Sequence, residues 1–222
     1  MRLMSEVFTI TLLTAMALMP FTASAQSPPS HHHGFGNAQQ WSQYFDDPKR
    51  DEWQKPHEII QALGLAPNSI VADIGSGTGY FSVRLAHFVP KGQVYGVDTE
   101  PDMINYLTDR IKRERLSNVT SLAGKPDDPQ LPTRVDLVLM VDVFHHISNR
   151  DQYFKKLKQY LKPGGRVAVI DFSETSPMGP PPAERISSAR VKSELVQAGY
   201  EVAAEHAFLP NQYFLIFKTA PR

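Results

Sequence analysis

From residue 70 onward, short apolar runs with little polar alternation are separated by segments whose apolar residues recur every three to four positions. Runs of the first kind suit strands buried on both faces, and segments of the second kind suit the helices that cover them. Strands are predicted at 70–74, 93–97, 119–122, 135–141 and 167–171, alternating with helices at 81–88, 101–115 and 151–161. Ahead of them, DEWQKPHEIIQALGL reads as a short amphipathic helix. Pro56 suits its first turn, Ile59, Ile60 and Leu63 form its stripe, and Gly64 suits its end. The last part of the chain departs from this rhythm. After a proline-rich loop at 177–182 and a helix near 185–198, apolar runs at 200–209 and 213–217 are separated only by Pro210-Asn211-Gln212, which permits only antiparallel pairing. The pattern predicts an α/β fold: a doubly wound, mostly parallel seven-stranded sheet, helices on both faces, and an antiparallel C-terminal hairpin strand.

The first 40 residues follow neither period. Arg2 precedes an apolar stretch at 7–21, and Ala23-Ser24-Ala25 then offers small residues at a cleavage-like spacing, so residues 1–25 read as a secretory signal peptide. The stretch is short for a membrane span, which needs about 20 apolar residues. A periplasmic or secreted location is expected, and a cytoplasmic one if the signal is not used. No later apolar run of that length occurs, so no stable membrane insertion of the mature domain is expected. Residues 26–40, rich in Ser, Pro, Gly, His and Gln, read as a flexible linker, leaving 41–222 as the folded domain. The linker's His31, His32 and His33 lack a carboxylate or thiolate to complete a metal shell, so no metal is expected.

Composition narrows the chemistry. Lysine plus arginine equals aspartate plus glutamate at 23 each, which supplies no global field for nucleic acid or anionic membranes. There are no cysteines, which excludes disulfides, thiolate metal sites and cysteine nucleophiles.

The sharpest motif is VADIGSGTGY at 71–80, where a strand ends at Asp73 and Ile74 and is followed by Gly75, Gly77 and Gly79 ahead of a helix. Glycines there let the backbone turn tightly and let a ligand approach without a Cβ in the way. Asp98 ends the next strand, placed to accept both hydroxyls of a ribose. The third glycine comes one residue earlier than in G-x-G-x-x-G, which disfavours a dinucleotide site. D-x-G-x-G-x-G followed by an acid at the end of the second strand resembles the fingerprint of the class I, Rossmann-like S-adenosylmethionine-dependent methyltransferases. VDLVLMVDVFHHI and LKPGGRVAVIDF resemble the fourth and fifth strands of the same family with their flanking turns, and the resemblance covers roughly residues 53–218.

The resemblance implies S-adenosyl-L-methionine as cofactor, with Asp73 facing its methionine ammonium, residues 75–79 cradling its carboxypropyl chain and Asp98 holding its ribose. Asp127 or Asp128, in the loop after the third strand, would accept from the adenine amine. The family's usual acid directly after the glycine is Lys125 here, so the two aspartates read equally as turn formers. Gln54 belongs to a Q-x-P segment that in some relatives lies over the cofactor; it reads also as part of a helix cap. Asp142 is a second candidate for the methionine amino group. His145 and His146 follow the fourth strand, where open α/β sheets present ligands, and are the candidate bases. Ser148 and Asp151 resemble a capping box beside them, which leaves substrate-lining and structural roles open for both histidines.

The expected function is methyl transfer to a small-molecule acceptor, lipidic or quinone-like. The alternative is a non-catalytic exported binding protein on a retained methyltransferase fold. The lack of cysteine argues against the thiolate chemistry of arsenite methyltransferases. No N-P-P-Y-type motif supports amino methylation of adenine or glutamine.

Overall fold

The computed structural model describes residues 37–221. The proposed signal peptide, the histidine triplet and most of the proposed linker lie outside the described residues.

Seven strands form one sheet: β1 (Ile70–Ile74), β2 (Gln93–Asp98), β3 (Val119–Ala123), β4 (Val135–Val141), β5 (Leu161–Phe172), β6 (Tyr200–His206) and β7 (Gln212–Thr219). Their order is β3-β2-β1-β4-β5-β7-β6. The first five are parallel, and β7 runs antiparallel against both β5 and β6. β4 and β7 read VDLVLMV and QYFLIFKT and are almost continuously buried, as central strands covered on both faces require. One core lies on each face: Val138, Val169 and Leu215 share one, and Leu139, Ile170 and Phe214 the other.

The helices are α1 (Ala38–Phe45), α2 (Arg50–Gln54), α3 (Pro56–Ala62), α4 (Tyr80–Phe88), α5 (Pro101–Glu114), α6 (Arg150–Leu157) and α7 (Ser188–Gln197). The sequence pattern places most of them correctly, and four differences have local causes. α1 begins at Ala38, within the segment read as linker, where Asn37 accepts from the Gln40 N–H as its cap. The single helix expected at 51–64 is two, because Lys55 takes φ 49° and Pro56 opens α3 as its first residue. A residue before proline is kept out of the right-handed helical region. The Ser148–Asp151 capping box is not formed: Asn149 is the cap residue of α6, and its side chain bonds nothing there. α7 begins at Ser188 rather than 185, capped by the Ser187 side chain.

Connections from β1 lead outward through β2 to β3, and the chain then returns to place β4 on the other side of β1. The carboxyl ends of β1 and β4 therefore flank a topological switch point, where a crevice opens in sheets of this kind. No helix of the described residues is long and apolar enough to cross a membrane.

Candidate active site

Four aspartates stand at the carboxyl ends of four parallel strands: Asp98 on β2, Asp73 on β1, Asp142 just after β4, and Asp171 on β5. Asp73 is 3% exposed, and the Ser82 hydroxyl, donating at 2.6 Å, is the only side chain among the described residues that bonds it. Burial, with Asp98 nearby, pushes its carboxyl up to about 6 against the bond from Ser82. A buried acid without a bonded cation is a poor structural element and a good receptor for an incoming positive charge.

The glycine loop joins β1 to α4. Gly75 and Gly79 have φ of 70° and 89°, and a Cβ on either would run into Val143 or Leu107. Gly75 and Ser76 donate their N–H groups to Val97 O at 2.8 and 3.0 Å, which ties the loop to the end of β2. Gly77 donates to Asp98 Oδ2 at 2.8 Å, and the Glu100 N–H donates to Asp98 Oδ1 at 3.0 Å. Asp98 is thus oriented by two main-chain donors and retains lone pairs for further ones.

The N-terminal helices cover this loop. Phe45 lies over Gly77. Asp46, just after α1, accepts from Thr78 Oγ1 at 3.1 Å and from Arg110 of α5 at 2.9 Å. Arg50 stacks on the Tyr80 ring at 4.0 Å, donates to Phe45 O and Gln54 Oε1, and comes within 3.9 Å of Asp142. Gln54, fully buried, donates to Gln212 Oε1 at 2.6 Å, and Gln212 donates to Asp142 Oδ1 at 2.6 Å. Gln54 therefore reaches the site through a chain of amides rather than as a helix cap.

Asp142 adopts φ 59°, which turns the chain away from β4. Burial and the neighbouring Asp171 push its carboxyl up to about 7, against Arg50, Gln212 and His145. His145 Nδ1 lies 2.8 and 3.0 Å from the two oxygens of Asp171, and its side chain is 6% exposed. His146 is exposed, its ring centroid 4.0 Å from that of His145. The Tyr213 hydroxyl, across from Asp171 on β7, is buried without a hydrogen-bond partner among the described residues.

Asp73, Gly75, Gly77, Gly79, Asp98, Asp142, Gln54 and the two histidines thus come from four segments to the carboxyl ends of the central strands. Asp127 and Asp128 do not share these contacts. Asp128 accepts from Lys156 at 2.9 Å, Tyr160 at 2.8 Å and the Gln130 N–H, while Asp127 faces Lys156 at 3.6 Å, an arrangement of a turn docked on α6. Arg50, Asp171 and Gln212, none of them among the candidate residues, join the same cluster. Only Asp171 carried a usable signal, an acid ending a buried strand as Asp98 does.

A seven-stranded sheet of this order, with acids and a glycine loop at its switch point, defines a Rossmann-like nucleoside-binding enzyme fold. A methyltransferase-domain family profile matches residues 65–210, and the chain belongs to that family. A crystal structure of a SAM-dependent methyltransferase from Aquifex aeolicus is similar at TM-score 0.75 and 28% identity, over 82% of this chain and 97% of that one. An arsenite methyltransferase of Halobacterium salinarum is 32% identical over 51% of this chain and 29% of its own length. A ubiquinone/menaquinone biosynthesis C-methyltransferase of Laribacter hongkongensis is 29% identical over 56% and 52%. The chain thus spans about half or less of the length of these two curated relatives.

Proposed function

We propose that this chain is an S-adenosylmethionine-dependent methyltransferase acting on a small molecule. The observation that carries the reading is the pair Asp73 and Asp98 at the ends of adjacent strands, joined by the glycine loop: one buried acid without a bonded cation, one acid held by main-chain donors. These residues fit the cofactor's chemistry. Asp73, with Asp142 beyond it, would take the methionine ammonium, Asp98 the ribose hydroxyls, and residues 75–79 would approach the chain between them. Asp128 is bonded by Lys156 and Tyr160, whereas Asp127, exposed beside Lys156, keeps lone pairs with which it would accept from the adenine amine. The chemistry that S-adenosylmethionine supplies is an electrophilic methyl group on a sulfonium. The protein's share is to align the acceptor, exclude water and handle a proton where the acceptor carries one.

The acceptor side is the edge of β4 and β5, where His145, His146 and Asp142 stand. Balanced charge supports a small acceptor over nucleic acid. Without cysteine the chain has no thiolates with which to hold arsenite.

The test is calorimetric titration of the chain with S-adenosylhomocysteine, with NAD as control. Micromolar binding, about −8 kcal/mol, that disappears in Asp98→Ala is expected. A folded chain that binds neither ligand, or an Asp98→Ala variant that binds as well as wild type, overturns the reading. Export belongs to the same proposal on the strength of residues 1–25. N-terminal sequencing of the native protein should begin at Gln26, and an intact Met1 in a soluble cytoplasmic fraction would sink it.

A further inference from the structure

We infer that Asp171 is a positioning residue that makes His145 Nε2 a proton acceptor, and that the methyl acceptor accordingly presents a hydroxyl group. The inference rests on the methyltransferase reading of the site and adds the acceptor's chemical class to it.

An ionised Asp171 accepts hydrogen bonds and offers no proton. Both its oxygens face His145 Nδ1, so the ring proton sits on Nδ1 and the lone pair on Nε2. Both hydrogen bonds of the His145 ring among the described residues are on Nδ1, which leaves Nε2 for an acceptor. Asp171 is itself fixed: its side chain is 4% exposed, the Phe172 N–H donates to Oδ1 at 2.8 Å, and β5 is paired on both edges. The His145 N–H reaches Oδ2 at 3.4 Å, so backbone and ring are held by one acid.

The surroundings set the proton affinity. Burial opposes the imidazolium, but the bond and charge of Asp171 on β5, with Asp142 after β4 and Glu184 on the turn before α7, outweigh it and hold His145 above the ordinary histidine value. Exposed His146 lies against the ring, and Tyr213 faces Asp171 from β7.

Such a pair is useful for only some acceptors. A thiol that ionises near neutrality, or an amine already carrying its lone pair, attacks without prior deprotonation. A hydroxyl of the phenolic kind, with a pKa of about 10, stays protonated at neutral pH and needs a base. In the step, the acceptor's O–H proton passes to His145 Nε2 and its electron pair stays on oxygen. That oxygen forms the new bond to the methyl carbon, while the pair of the broken S–CH₃ bond leaves with sulfur. The imidazolium is stabilised by Asp171 and returns the proton to solvent. Burying an imidazole–carboxylate pair beside a second acid is costly, and base catalysis is the return that chemistry offers for it.

The experiment uses the full chain labelled with ¹⁵N-histidine, with S-adenosylhomocysteine present, as wild type, Asp171→Asn, Asp171→Glu and His145→Gln. In the wild type, at pH above the His145 midpoint, the nitrogen shifts of His145 should show the proton on Nδ1 and a bare Nε2. In Asp171→Asn the tautomer should become mixed and the titration midpoint should fall; Asp171→Glu should restore part of both. Methyl transfer is then measured on phenol, thiophenol and aniline, which share one ring. Phenol methylation should rise with pH through the His145 midpoint and drop about 10²- to 10⁴-fold in Asp171→Asn and His145→Gln, with thiophenol changed by no more than about threefold. A proton on Nε2 of the neutral wild-type ring, a tautomer and midpoint indifferent to Asp171→Asn, or a phenol that is not methylated overturns the inference. Absence of S-adenosylhomocysteine binding to wild type would instead sink the methyltransferase reading, and the tautomer would then decide the dyad alone.

Discussion

Among the single residues, Asp73 is a buried acid whose charge costs stability. Its carboxyl, raised to about 6 from 3.8, keeps its proton in the folded chain at a pH where the unfolded chain has lost it. Stability therefore falls as pH rises from about 4 to about 6, and the whole penalty, on the order of 3 kcal/mol, stands above that range. Asp73→Asn keeps an oxygen for Ser82 and loses the charge. Denaturant melts should show this variant more stable than wild type at pH 7, by up to about 3 kcal/mol, with the advantage shrinking toward pH 4. Its affinity for S-adenosylhomocysteine should fall at the same time. A variant less stable than wild type at pH 7 would refute the assignment of Asp73 as a charge held for a ligand. The glycines differ among themselves in a way that the motif does not display: a Cβ on Gly75 or Gly79 would run into Val143 or Leu107, whereas one on Gly77 would meet Phe45 only at ordinary contact distance, and there the φ of 53° is what favours glycine.

Among the elements, the strands were the most legible, because apolar runs of this length admit few other readings once turn residues bound them. Helix limits were less so. Pro56 marked the start of α3, but the separate α2 depends on Arg50 stacking on Tyr80 and on Asp51 bonding Tyr80 and Arg84, partners 29 or more residues away. α1 lay partly inside the segment read as linker because its hold on the domain is also remote. Asp46 binds Thr78 and Arg110, and the Asn37 N–H donates to Asp102. This attachment makes α1 and the residue that follows it a cover for the glycine loop. Asp46→Ala should cost about 1.5–3 kcal/mol in denaturant melts, the usual range for hydrogen bonds to a charged group. It should also weaken S-adenosylhomocysteine binding about tenfold by freeing the cover; unchanged affinity in a destabilised variant would show that α1 is only a structural clasp.

For the whole molecule, the chain by itself determined the α/β class, the parallel succession of β1 to β5, the antiparallel end, and the glycine loop between β1 and α4 with an acid ending each of β1 and β2. The physical reason is locality: burial on both faces, tight turns and strand-ending acids are written within a few consecutive residues. Only the tertiary structure decided which distant groups meet. Bringing β4 back beside β1 creates the crevice, and inserting β7 next to β5 carries Gln212 to Asp142 and Gln54. The same packing sets Asp171 under His145 and seats Asp128 against Lys156 and Tyr160. Hydrogen bonds between residues 26 to 158 positions apart leave no periodic trace in a sequence, because each depends on the register of the sheet rather than on neighbouring side chains.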